Sequence, residues 1–247
     1  LLPPGRFAIL KENSGTIEMA GGTGSLGGKA WRGAIQLLVL LALLLFVSAG
    51  SLRFWQAWIF WLVFAVAVLL IGLYFLKRDP GLVERRMHSG PRAEKEKSQK
   101  IIVAALSFFF VAEIVVPGFD RRFHWSSVPV FAVAAGDLLV AVGFVVMFLA
   151  LRENSFASAA IEVDPAQKVV ATGPYRMVRH PYYAGALLME LFTPLALGSY
   201  WGLLAVPFTF LTIFRRLFDE ERFLAGRLPG YDEYLRRTRY RLIPRVW

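Results

Sequence analysis

Two short segments of the chain combine residue types able to hold a small polar molecule. The first is Thr172-Gly173-Pro174-Tyr175-Arg176-Met177-Val178-Arg179-His180-Pro181-Tyr182-Tyr183-Ala184-Gly185. Gly173-Pro174 is a turn signal, and Pro181 biases His180 away from helical geometry while suiting the first turn of the helix that follows. The N–H groups of that helix start, beside Arg179, would attract an anion such as a carboxylate. A plain entry turn with a membrane-flanking Arg explains the same spacing. The second segment is Arg215-Arg216-Leu217-Phe218-Asp219-Glu220-Glu221-Arg222-Phe223-Leu224. Arg216 and Glu220 are four apart, so they share a helix face and are expected to pair. Glu220, just beyond an apolar run, suits a cationic ligand or a ribose hydroxyl, or else belongs to a solvated charged turn. Three further acids, Glu113, Asp137 and Glu190, lie inside apolar runs and must face protein or water rather than lipid. Glu190, two helical turns after Pro181, can line the same cavity or serve as a hydrogen-bonded packing group.

The solvent for these residues follows from composition. The 247 residues are 56% hydrophobic, 15% aromatic and only 19% charged, with a mean hydropathy of +0.51, which excludes an ordinary soluble domain. The net charge of +10 comes without a separate basic helix bearing interleaved aromatics, so nucleic acid is not expected as a partner. Anionic membrane lipids and the positive-inside rule account for it. With no Cys, and with His88, His124 and His180 far apart, neither a disulfide, a cysteine nucleophile nor a metal site is expected. Gly22-Thr23-Gly24-Ser25-Leu26-Gly27 fits the G-x-G-x-x-G pattern, but no strand precedes it and an apolar span follows, so it is rejected as a dinucleotide site.

The apolar blocks set the architecture. Residues 1–29 read as a flexible Gly-rich tail, with translation expected to begin at Met19; the apolar segment that follows is too long for a cleaved signal. Residues 30–151 hold four spans, with apolar runs at 34–49, 54–76, 101–116 and 128–151, each near the roughly 20 residues that cross a bilayer core. The 77–100 loop carries eight Lys/Arg and is expected in the cytoplasm. Residues 152–247 form a third unit. Its apolar stretch 184–214 would run about 46 Å as one helix, too long for an untilted crossing, and Pro194, Gly198, Gly202 and Pro207 interrupt it. Nine Arg follow it. The stretch is therefore expected to be a helical hairpin turning near Leu197 to Gly202, with both termini cytoplasmic. The fold class is all-α: a polytopic integral membrane bundle of four full spans, a C-terminal hairpin and cytoplasmic C-terminal helices.

Gly173-Pro174-Tyr175, Arg179-His180-Pro181, Tyr183, Gly185, Glu220-Glu221, Leu224, Tyr231, Tyr234 and Pro244 together resemble the C-terminal module of the isoprenylcysteine carboxyl methyltransferase and phospholipid methyltransferase superfamily. The resemblance covers about Asn154 to Pro244. It implies a membrane methyltransferase using S-adenosylmethionine. By position it assigns cofactor contacts to Lys168, Val169, Val170, Ala171, Tyr175, His180, Pro181, Tyr182, Tyr183, Glu220 and the neighbouring Glu221. Arg216 falls where isoprenylcysteine methyltransferases carry an Arg that engages the substrate. Two positions depart from the pattern: Lys168 stands where relatives often have His, and Leu228-Pro229-Gly230 replaces a Phe-Gly pair.

Methyl transfer from a sulfonium is a direct displacement that needs alignment and desolvation, and neither a metal nor a covalent nucleophile. A carboxylate acceptor would be oriented by Arg216. An amine acceptor would first lose a proton, for which Glu190 or Glu221 is the candidate base. The lipophilic acceptor is expected from the bilayer and the cofactor from the cytoplasm. Carboxyl O-methylation is the closest analogy, N-methylation of an amine-bearing lipid the alternative, and a small transporter or structural membrane protein the rival from another class.

Overall fold

The computed structural model describes residues 22–94 and 96–247. The expected start at Met19 and most of the expected tail lie outside the described residues. Its last part, however, is helical: α1 runs Gly22–Ala49, so residues 22–29, including the rejected glycine pattern, are the first turns of a helix rather than a tail. The remaining elements are α2 (Trp55–Arg78), α3 (Pro80–Met87), α4 (Lys97–Phe123), α5 (Val130–Glu153), α6 (Pro181–Ala196), α7 (Val206–Ala225) and α8 (Tyr231–Arg237). Two 3-10 turns, Gly173–Arg176 and Trp201–Leu204, complete the order, and no strand occurs among the described residues. This is a polytopic helical membrane protein. Five helical segments are long and apolar enough to cross a membrane, the last being Trp201–Ala225. Large apolar side chains such as Val39, Leu43, Leu62, Leu70, Phe131 and Leu138 are more than half exposed, as expected where the surrounding solvent is hydrocarbon.

The sequence places a connection at 117–127, yet α4 continues through Pro117 to Phe123. A proline removes one helix hydrogen bond, and membrane helices tolerate it where neighbours fill the gap. Here a Cβ at Gly202 would sit 3.0 Å from the Pro117 ring, and Gly118 closes directly on Ser48. The helix stops at His124, whose φ of 57° is left-handed.

The stretch 184–214 folds back as a hairpin. Its first arm, α6, has 16 residues, about 24 Å of helix, short of a core about 30 Å thick. The chain turns between Leu197 and Ala205 and returns as α7. The turn is fixed by Asp120, whose carboxylate accepts hydrogen bonds from the Ser126 N–H (2.7 Å), Ser126 Oγ (2.6 Å) and Ser199 Oγ (2.5 Å). At the other end Tyr183 of α6 meets Glu220 of α7, so the arms are antiparallel.

Helix α6 lies along α5 at backbone distance. A Cβ on Gly143 would stand 2.7 Å from the Gly185 carbonyl oxygen, one on Gly185 2.7 Å from the Gly143 carbonyl oxygen, and one on Gly136 2.6 Å from the Ala196 nitrogen. Small residues at such crossings let dispersion and backbone polarity act at short range, the main source of helix association in lipid. Gly143→Leu should therefore cost about 1–3 kcal/mol by overpacking and lower the melting temperature of the detergent-purified protein. Gly72→Leu, at a site with nothing within 4 Å, should leave it unchanged.

Candidate functional site

Within the first polar segment, Arg179 and the backbone of His180 are bound to the end of the chain rather than open to a ligand. The backbone N–H groups of Arg179 and His180 donate to the carbonyls of Tyr240 and Arg241, each at 2.9 Å. The Arg179 side chain donates to the carbonyls of Thr238 (2.6 Å) and Leu235 (2.7 Å) and to Glu221 (3.1 Å). Glu221 also accepts from His180 Nε2 at 3.3 Å and Arg241 Nε at 3.1 Å. Arg179 is thus neutralised inside the protein and does not wait for an external anion. Glu221, nine-tenths buried and saturated by three partners, stands behind the cavity wall and does not line it.

That wall encloses about 440 Å³, within the range of about 300–1,000 Å³ usual for small-ligand sites. Of the residues singled out in the sequence, the structure brings Lys168, Val169, Val170, Tyr175, His180, Tyr182, Tyr183, Glu190, Arg216 and Glu220 to it. Besides Glu221, two of the expected cofactor contacts do not reach it. Ala171 is exposed to solvent, and Pro181 is buried as the first residue of α6. One end of the cavity is polar, with Arg86, Asn154, Gln167 and Lys168; the other penetrates the bundle between Val103, Leu106 and Phe110 of α4, Glu190 of α6, and Thr209 and Ile213 of α7.

Tyrosines dominate the polar end: Tyr175, Tyr182, Tyr183, Tyr231 and Tyr234 all line it. Tyr234 donates its hydroxyl to the Tyr175 carbonyl at 2.9 Å, and the Arg86 guanidinium lies 4.5 Å over the Tyr182 ring. Burial pushes the Tyr175 phenol up to about 12 and also raises Tyr231 and Tyr234. At neutral pH these rings keep their protons and offer hydrogen-bond donors and π-faces, which suit a purine or a cation.

The expected Arg216–Glu220 pair is not formed. Arg216, 5% exposed, donates instead to Glu94 Oε1 (2.7 Å), the Ala159 carbonyl (2.8 Å), Gln99 Oε1 (3.2 Å) and the Tyr183 hydroxyl (3.2 Å). Tyr183 in turn donates to Glu220 at 2.6 Å, so Arg216 and Glu220 are linked through a phenol. Glu94, just before α4, and Gln99, in its first turn, are hidden in a run of alternating charges. Arg216 alone signals them, since a cation beside an apolar helix needs a partner. Also unassigned from sequence were Arg86, Asn154, the 156–162 segment and the α4 wall, which reach the cavity only through long-range packing.

At the inner end Glu190 lines the cavity, and Glu113 lies behind the lining residue Thr209, accepting from its Oγ1 at 2.6 Å; one oxygen of each carboxyl has no donor. Asp137, likewise buried with an oxygen lacking a donor, is on α5 away from this cavity.

The sequence model of the phospholipid methyltransferase family matches residues 131–228. The matched segment is about two-fifths of the chain. It spans α5, the polar loop, both hairpin arms and Leu228, which means that most of the cavity wall is family sequence while Arg86, Glu94 and the α4 face lie outside it. The chain is also similar over part of its length to curated proteins of different description. The mouse delta(14)-sterol reductase TM7SF2 is 34% identical over 97 residues, 36% of this chain and 23% of that protein. The cobalt-zinc-cadmium resistance protein CzcN of Cupriavidus metallidurans is 32% identical over 106 residues, 41% of this chain and 47% of that protein. The chain thus spans less than half the length of either.

Within the family segment, the Arg179–Glu221 tie predicts a stability effect. Arg179→Ala removes one partner of a buried pair and should cost about 3 kcal/mol. Limited proteolysis should then release the segment after Arg237 in the variant while sparing it in the wild type.

Proposed function

We propose that the protein is an S-adenosylmethionine-dependent methyltransferase acting on a lipophilic acceptor. The observation that carries this reading is a single cavity with a polar, tyrosine-walled end and an end opening among membrane-embedded helices, built largely from the methyltransferase-family segment. In this reading Lys168 to Val170, Tyr175, Tyr182 and Tyr183 hold the cofactor's nucleoside and amino-acid parts, and Glu220 takes its ribose hydroxyls or cationic groups. The cofactor supplies an electrophilic methyl group on a cationic sulfur. The chain's residues orient the acceptor in line with it and exclude water, and charge is lost at sulfur as transfer proceeds, so a dry site favours the reaction. The basic loops at the polar end support a cytoplasmic position for that end, by the positive-inside rule.

Two acceptor classes fit. Carboxyl O-methylation of the isoprenylcysteine type draws on Arg216, and requires the acceptor to take the place of Glu94 on its guanidinium. N-methylation of an amine-bearing lipid draws on a specific feature of the inner end, where Glu190 lines the cavity and Glu113 stands behind the lining Thr209. There an ammonium headgroup would be attracted, and Glu190 would accept the proton whose loss frees the nitrogen lone pair.

Calorimetry of detergent-purified protein with S-adenosylhomocysteine tests the cofactor assignment. Wild type should bind, and Glu220→Ala should weaken binding about tenfold or more, or about 1.4 kcal/mol. A reductase would need a hydride donor instead, so NADPH is the competing probe. Binding of NADPH with none of S-adenosylhomocysteine would refute the methyltransferase reading.

A further inference from the structure

The guanidinium edge of Arg216 that a bidentate carboxylate would occupy already holds one. Of the five N–H donors of an arginine, those of Arg216 serve Glu94, Ala159, Gln99 and Tyr183. Glu94 is 4% exposed and its second oxygen accepts from the Ile161 N–H at 3.4 Å, so the carboxylate is held from both sides. The other cations lining the cavity are Arg86, Lys168 and Arg179. Arg86 and Lys168 lie at the polar end, and Arg179 is neutralised by Glu221. Inward from Arg216 the ionisable groups are Glu190 and, behind Thr209, Glu113. A lipophilic anion reaching that inner end therefore finds a neutralised pair and carboxyl groups, with no free positive charge among the described residues.

We propose that Glu94 is a specificity-determining residue: it fills the carboxylate place on Arg216 and so turns away acidic acceptors in favour of neutral or amine-bearing ones. The inference rests on the methyltransferase reading of the cavity. Two carboxylates cannot share one guanidinium edge without repulsion in a dry site, whereas removal of Glu94 leaves a buried cation that any entering anion would stabilise. Selectivity is here set by an internal residue that occupies the rival's place.

The test uses the full chain in lipid nanodiscs with S-adenosylhomocysteine bound, titrated with dodecanoate, dodecylamine and dodecanol, which differ only in headgroup. Wild type should bind dodecanoate at least about tenfold more weakly than the amine or the alcohol. Glu94→Gln and Glu94→Ala should each tighten dodecanoate about tenfold or more without a matching gain for the amine, and adding Arg216→Gln should abolish that gain. The proposal is overturned if wild type binds dodecanoate as tightly as the other two, or if both Glu94 variants bind S-adenosylhomocysteine yet keep wild-type selectivity. Should neither variant fold, the wild-type comparison decides alone. Absence of S-adenosylhomocysteine binding to wild type would instead remove the parent reading.

Discussion

Hydrocarbon gives helices no reward for burying apolar side chains against one another, so what joins them must be close backbone contact or hydrogen bonding. In this protein both are concentrated on α6. Its glycine and alanine face lies against α5 at distances that leave no room for a Cβ at Gly143 or Gly185, and its ends are held by polar ties. The turn after α6 is fastened through Ser199 to Asp120, and Tyr183 at its start reaches Glu220. Because α6 is fixed along α5, α7 has to return to the same end of the bundle. The cavity is the space left between that return, α4 and the polar loop. Without the α5–α6 contact, no wall of the site would have a defined position.

Charge then finishes what packing begins. Arg179 and Arg216 are both buried cations near the cavity, and each is matched by a carboxylate that it also positions. Arg179 with Glu221 secures the chain's last segment behind the site. Arg216 with Glu94 draws the start of α4 and the 159–161 loop onto α7 and steadies the phenol that contacts Glu220. A buried pair of this kind adds little net stability, but it specifies which loop closes over which helix. Specification matters most here, since loops at a membrane surface have few apolar contacts with which to choose one arrangement.

The hairpin was legible from the sequence because two independent signals agree on it. Pro194, Gly198, Gly202 and Pro207 break an apolar run too long for one crossing, and the basic residues on both sides of it demand a return. The cavity's polar wall was legible through motif spacing, since Tyr175, His180, Tyr183 and Glu220 keep their intervals whatever packs around them. The partners of the arginines were not. Helical periodicity favours Glu220 for Arg216, four residues away, yet the partner is 122 residues away in sequence. That pairing depends on how α4 leans on α7, a property of the assembled bundle. The continuation of α4 through Pro117 escaped for the same reason, as the groove that receives the proline is made by Gly202 on the hairpin turn.

The central claim is that one cavity holds a methyl-donor cofactor against an acceptor arriving from the bilayer. Ultraviolet cross-linking of radiolabelled S-adenosylmethionine to the full chain in nanodiscs, followed by peptide mapping, tests it most directly. The account predicts label confined to peptides covering 168–183 and 216–224, lost on competition with excess S-adenosylhomocysteine. Competable label elsewhere, for instance in α1 or α2, with those peptides unlabelled, would contradict it.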